Sequence, residues 1–151
     1  MAAGKHRSPL KLDTHEYEAL AAFRYALRSF MRFSEVEAEK RGLTAQHYQA
    51  LLTLRACPEG HRLTINDLAL QLMIRHNSAV GLADRLTKQG LVTRESSPQD
   101  GRKVYLRLTA KGNRILEKLA EVHREELQRI GQQLEELLQQ ITHATKGRSE
   151  A

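Results

Sequence analysis

Three features of the sequence predict a mainly α-helical fold with one small β-hairpin. Long stretches free of Gly and Pro place apolar residues at alternating steps of three and four, the period of a helix. One short stretch alternates strictly instead: Val104, Leu106 and Leu108 fall on one side, with Lys103, Tyr105, Arg107 and Thr109 on the other. Just before it stands Ser-Ser-Pro-Gln-Asp-Gly, residues 96–101, a cluster of turn formers.

The elements follow in order. Residues 1–12 read as a disordered tail carrying Lys5, Arg7 and Lys11. Residues 13–147 read as a single domain, in which 13–43 and 112–147 supply one helical lobe and 44–111 supply another. From Asp13 to Lys40 there is no Gly or Pro, and Leu20, Phe23, Leu27, Phe30 and Met31 mark a broad apolar face. Asp13 or Thr14 caps this helix, Glu16 and Glu18 suit its first turn, and Gly42 ends it. Thr44 caps a second helix, to about residue 56, that turns Tyr48, Leu51, Leu52 and Leu54 inward before Pro58-Glu59-Gly60 stops it.

Thr64 caps a short third helix with Leu68, Ala69 and Leu72 on its buried face. A fourth helix, about Arg75 to Gln89, carries the stripe Ala79, Leu82, Ala83 and Leu86, and Gly90 stands at its C′ position. Leu91 to Arg94 and residues 103–109 form a hairpin whose loop is too long for a two-residue turn. Thr109 or its neighbour starts a last helical region to about residue 146. There Leu127, Ile130, Leu134, Leu137 and Ile141 form a narrow seam of coiled-coil type, fitted to a helix of a second copy. Gly131 marks a candidate bend within it.

The formal net charge of +6 is unevenly placed. Residues 55–114 hold eleven Lys or Arg against five acids, and the rest of the chain balances. A positive middle between neutral ends suits a polyanionic partner, although a solvated charged surface produces the same count. Trp is absent and aromatics are scarce, which argues against stacking platforms for single strands. No apolar run is long enough for a bilayer and no secretory leader pattern opens the chain, so a soluble, cytoplasmic and nucleoid-associated protein is expected. Neither a Gly-rich phosphate loop nor a nucleophile elbow is present, which argues against an enzyme. The histidines lack zinc-site spacing, so no metal or other cofactor is expected. Cys57, the single cysteine, permits no internal disulfide and reads more readily as an inert thiol than as a redox sensor.

Two short helices joined by Met73-Ile74 and followed at once by a basic hairpin make a helix-turn-helix with a wing. A helix with one apolar stripe leans on the core and offers its other side to a major groove. On the fourth helix that outer side begins with Arg75, His76, Asn77 and Ser78 and continues through Gly81 and Arg85. Arg reads guanine, Asn reads adenine, and Ser serves either a base or a phosphate. The loop of the hairpin carries Arg102 and Lys103 toward the duplex, and a narrow minor groove attracts an inserted Arg.

The stretch LTINDLALQLMIRHNSAVGLADRLTKQGLVTRESSPQDGRKVYLRLTAKG resembles the DNA-binding lobe of the MarR (multiple antibiotic resistance regulator) family. The resemblance rests on Asp67-Leu68-Ala69, Asp84-Arg85-Leu86, Gly90-Leu91-Val92, Asp100-Gly101-Arg102 and Leu106-Arg107-Leu108-Thr109-Ala110-Lys111-Gly112. The long flanking helices resemble the dimerisation lobe of that family. The resemblance implies a homodimeric regulator, most readily a repressor, on a pseudo-palindromic double-stranded operator. It implies that Asp100 orients Arg102, which enters the minor groove; the lesser reading of Asp100 is a simple turn former. It also implies a small-molecule effector, for which Tyr25, Arg28, His47 and Arg55 are the candidate ligands, each readable as a core or surface residue. Two departures stand out. Arg75 occupies the cap position where relatives often have a small hydroxyl residue, so that Asn77 or Ser78 becomes an alternative start. Gly81 stands where relatives often carry a longer side chain. The rival classes are a low-specificity architectural DNA-binding protein and a protein-interaction module built on the same winged fold.

Overall fold

A computed structural model describes residues 11–143 of the 151-residue chain. The order is α1 (Thr14–Glu39), α2 (Ala45–Ala56), β1 (Leu63–Thr64), α3 (Ile65–Leu72), α4 (His76–Lys88), β2 (Val92–Ser96), β3 (Val104–Leu108) and α5 (Ala110–His143). The expected tail up to residue 10 and the expected helical residues 144–146 lie outside the described residues. Among the described residues no helix is long and apolar enough to cross a membrane.

The chain divides into two compact units. One takes in the described residues 11–30 and 128–143, the other Met31–Leu127. The division falls inside α1 and α5 rather than at residues 43 and 112, because the inner halves of both helices belong to the second core. There Leu51, Leu68, Leu82, Leu86, Leu91, Val92 and Leu119 are almost fully buried. His123 shares this interior: its Nδ1 donates to the Leu119 carbonyl at 2.6 Å, and its Nε2 accepts from the Ser34 hydroxyl at 2.8 Å. Its ring stacks on Tyr48, with centroids 4.2 Å apart. α1, α2 and α5 are thus tied together around one imidazole. In the first unit Ala19, Ala26 and Ile130 are buried.

The helix starts follow the sequence signals. Asp13 caps α1: its carboxylate accepts from the Glu16 amide at 3.0 Å, while the Glu16 carboxylate accepts from the Asp13 amide at 2.7 Å. Thr44 and Thr64 do the same for α2 and α3 through reciprocal bonds with His47 and Asp67. Gly42 and Gly90 adopt φ of 70° and 71°, the left-handed conformation that closes α1 and α4.

Three expectations need correction. Leu52 fits the apolar spacing of α2 but is 42% exposed, because α2 is covered along a narrower strip than its leucines occupy. The hairpin is part of a three-stranded antiparallel sheet of order β1-β3-β2, in which Leu63 pairs with Leu106 and Thr64 with Tyr105. α4 starts at His76 with Arg75 as its cap residue, so neither Asn77 nor Ser78 begins the helix. α5 continues as a helix through Gly131.

Candidate nucleic-acid interface

α4 is held by its inner stripe. Ala79, Leu82, Ala83 and Leu86 are all completely buried, and α4 packs against α3 and β2. The turn before it passes through Met73 at φ 54°, the left-handed region, where the Met73 amide donates back to the Leu70 carbonyl at 3.1 Å. The outer side of α4 is open: Arg75, His76, Asn77, Ser78 and Arg85 are exposed. Arg75 makes no side-chain capping bond. The first amides of α4 therefore lack a side-chain acceptor from their cap, which favours an anion at this end. The Arg85 guanidinium lies back along the helix, 3.4 Å from where a Cβ at position 81 would stand. A Cβ at position 81 would stand in ordinary van der Waals contact with that flexible side chain.

The wing loop is built by its own side chains. Ser97 Oγ accepts from the amides of Gln99 and Asp100, each at 3.3 Å. Asp100 Oδ1 accepts from the Arg102 amide at 3.1 Å. The Lys103 amide donates to the Asp100 carbonyl, and the Ser97 amide to the Lys103 carbonyl. Asp100 therefore acts on Arg102 through the backbone, as an Asx turn. Arg102 and Lys103 are exposed, and neither is paired with a carboxylate among the described residues.

A cleft of about 590 Å³ separates α4 from the wing. His76, Arg102 and Lys103 line it, together with Asn66, Asp67 and Arg94. Asn66 and Arg94 were missed from the sequence. Arg94 is bound to Asp84 of α4 and lies 3.4 Å from the Val80 carbonyl, so it joins the wing to α4. Its signal was faint: an outward position on a short strand, without a partner visible in the spacing. The far end of α4 is anchored by the start of α5. Thr109 Oγ1 donates to the Gly90 carbonyl at 2.6 Å and accepts from the Gly112 amide at 3.0 Å. Lys111 Nζ donates to the Gln89 carbonyl at 2.8 Å. A Cβ on Gly112 would stand 2.1 Å from the Leu91 carbonyl oxygen, so only glycine fits there.

The four candidate effector residues have different surroundings. Tyr25 is 68% exposed on α1, and Arg28 is exposed too. His47 is 4% exposed; its Nδ1 accepts from the Thr44 amide at 3.0 Å, which places its proton on Nε2, and Nε2 is buried without a partner. Burial pushes the His47 pKa below its ordinary value, and the nearby Arg85 charge adds to the effect. Arg55 is exposed and lines a cleft behind the wing. The Cys57 thiol donates to the His61 carbonyl at 3.5 Å. Among the described residues no group of His, Cys, Asp or Glu is arranged to hold a metal ion.

These elements define a winged helix-turn-helix regulator of the DNA-binding class. Residues 41–103 match the family model described as MarR family. Over 129 residues the chain is 31% identical to the homoprotocatechuate degradative operon repressor of Escherichia coli, covering 83% of this chain and 81% of that one. It is 40% identical over 68 residues to the HTH-type transcriptional regulator FarR of Neisseria gonorrhoeae, a match spanning 45% of this chain and 47% of FarR. Among solved structures it is similar to a variant of Staphylococcus aureus MepR bound to an oligodeoxyribonucleotide, with 27% identity, a TM-score of 0.62, and coverage of 88% of this chain and 96% of that one. The chain belongs to the MarR family, whose members are transcriptional regulators rather than enzymes.

Proposed function

We propose that the chain is a homodimeric repressor that reads a pseudo-palindromic operator and is released by a small ligand. One observation carries the DNA reading: Arg75, His76, Asn77 and Ser78 at the start of α4 and Arg102 and Lys103 on the wing are all exposed, and His76, Arg102 and Lys103 line one cleft. In this reading α4 enters the major groove, where Arg75 and Asn77 read base edges and Ser78 and Arg85 hold phosphates. Arg102 enters the adjacent minor groove, on a loop shaped by Asp100, and Lys103 meets the backbone.

The dimer rests on apolar side chains left in solvent. Leu20 is 36% exposed and Leu27 43% exposed on α1, and Leu127 and Leu138 are 45% and 46% exposed on α5. Of the expected seam, Ile130 is buried and Leu134, Leu137 and Ile141 are half-buried within the chain, so it does not face a second copy as a whole; the leucines left exposed are what a second copy would cover. Cutting the chain after Gly112 would not test this, because Leu116 and Leu119, at 2% and 0% exposure, belong to the core. Substituting Leu27→Glu together with Leu138→Glu is the cleaner test. We expect a folded monomer by sedimentation; a dimer that persists would place the interface elsewhere.

Selection of bound duplexes from a random pool at physiological salt tests the DNA reading. We expect enrichment of a palindrome with half-sites about one helical turn apart. Binding without enrichment would instead favour the architectural reading.

A further inference from the structure

We propose that Gly81 determines part of the operator sequence: the notch it leaves on the outer face of α4 admits the 5-methyl group of a thymine. This inference rests on the major-groove reading of α4 proposed above and adds a base preference to it.

Nothing among the described residues asks for glycine at this position. Gly81 lies inside α4, and its φ is outside the left-handed region that glycine adopts more readily than other residues. Beyond the helix's own backbone, a Cβ there would meet one atom within 4 Å among the described residues. That atom is Nη1 of the exposed Arg85, at 3.4 Å, the end of a flexible side chain. Gly112 is the contrast, since a Cβ there would stand 2.1 Å from the Leu91 carbonyl oxygen. In a helix interior only proline is a poorer choice than glycine. Alanine at position 81 would therefore suit the folded chain better, and the reason for glycine lies in what α4 faces.

The helix turns Gly81 toward that partner. Ala79, Leu82, Ala83 and Leu86 are fully buried, and at about 3.6 residues per turn position 81 points away from the middle of their stripe. Asn77 and Arg85, four residues before and four after, are exposed on the same face. The outer ridge of α4 thus runs Asn77, Gly81, Arg85, with no side chain at its centre.

The chemistry of this gap selects what fills it. The amide and carbonyl of a mid-helix residue are engaged in the helix ladder. Gly81 therefore offers a base only the hydrogens of its Cα and cannot read a polar edge by hydrogen bonding. Thymine is the one base that carries an apolar group into the major groove, its 5-methyl. That methyl takes the place where a longer side chain would stand, and the backbone of α4 comes closer to the groove floor than a full ridge permits. Asn77, on the same ridge, suits an adenine nearby.

Parallel selections from a random duplex pool, with full-length protein and full-length Gly81→Ala, test the proposal. We expect the wild-type motif to hold a thymine in each half-site that the variant no longer enriches. On the wild-type operator the variant should bind about tenfold more weakly, although its urea midpoint is raised. Replacing that thymine with uracil removes only the methyl. It should weaken wild-type binding about fourfold and strengthen binding by the variant. The same motif bound equally well by both proteins, an equal loss on all sequences, or wild-type binding indifferent to uracil at every thymine would overturn the proposal. A lowered urea midpoint would also overturn it, by giving Gly81 a role in the fold; the uracil comparison on the wild type needs no variant. If the wild-type selection enriches nothing, the sequence-specific reading falls and this proposal with it. If the wild type enriches a motif that the variant shares, this proposal falls alone.

Discussion

Arg102 stands exposed at the tip of the wing, paired with no carboxylate among the described residues, and Asp100 fixes only the backbone beneath it. Replacing Arg102 with Ala therefore leaves the loop intact and removes one groove contact. We expect operator binding to weaken by about 1–3 kcal/mol, as for a base contact. A folded variant with unchanged operator affinity in a fluorescence-anisotropy titration would refute that role. Gly112 differs in kind, since its constraint is steric. Gly112→Ala drives a methyl group into the Leu91 carbonyl, and destabilisation of about 1–3 kcal/mol is expected from overpacking alone. Urea unfolding measures it. His47 adds a pH dependence. Its folded pKa lies below the ordinary 6.5, so as the pH falls below that value the unfolded chain binds a proton that the folded chain does not. Stability from this residue is present above pH 6.5 and declines as the pH falls toward the lowered folded value. His47→Gln, which keeps a capping side chain at the third position of α2, should flatten that decline in melts recorded across the range.

At the scale of elements, α4 carries a compromise at its first residue. Arg75 caps the helix without a side-chain bond, although a serine there would satisfy an amide. Arg75→Ser should raise stability by about 0.5–2 kcal/mol while weakening DNA binding. A variant that gained stability without losing affinity would remove Arg75 from the interface. The helices were legible from the sequence because burial imposes its period on leucines and alanines: the stripe Ala79, Leu82, Ala83, Leu86 is buried as a unit. β1 was not legible, since two residues cannot show an alternation and its pairing with β3 spans more than forty positions. Leu52 misled for a related reason: spacing tells which side an apolar residue shares, not how far the neighbouring element reaches across it. The bond from Arg94 to Asp84 and the Glu95 pair with Arg107 were invisible because they depend on register between elements. The exposure of Arg75 to Ser78, Arg102 and Lys103 was easier to read: a cap position and a turn cluster expose side chains by local rules alone.

For the whole molecule, the excess of positive charge within residues 55–114 falls on the compact unit that bears α4 and the wing. Operator affinity should therefore fall linearly with salt on logarithmic axes, with a slope near −0.9 for each phosphate neutralised. Lys103→Ala is expected to reduce that slope by about one and to affect all sequences alike. A slope unchanged by the substitution would mean that Lys103 meets no phosphate.

The loop between β2 and β3 folds upon itself through Ser97 and Asp100 before any duplex arrives. Freezing one residue of a wandering chain costs roughly 1–2 kcal/mol. Here that cost falls at folding rather than at encounter. An operator bound as proposed would thus meet a template whose shape is already set, and a mismatched sequence could not be accommodated cheaply by letting the tip sag. Discrimination between neighbouring sites would then owe as much to the stiffness of this seven-residue loop as to the arginine within it.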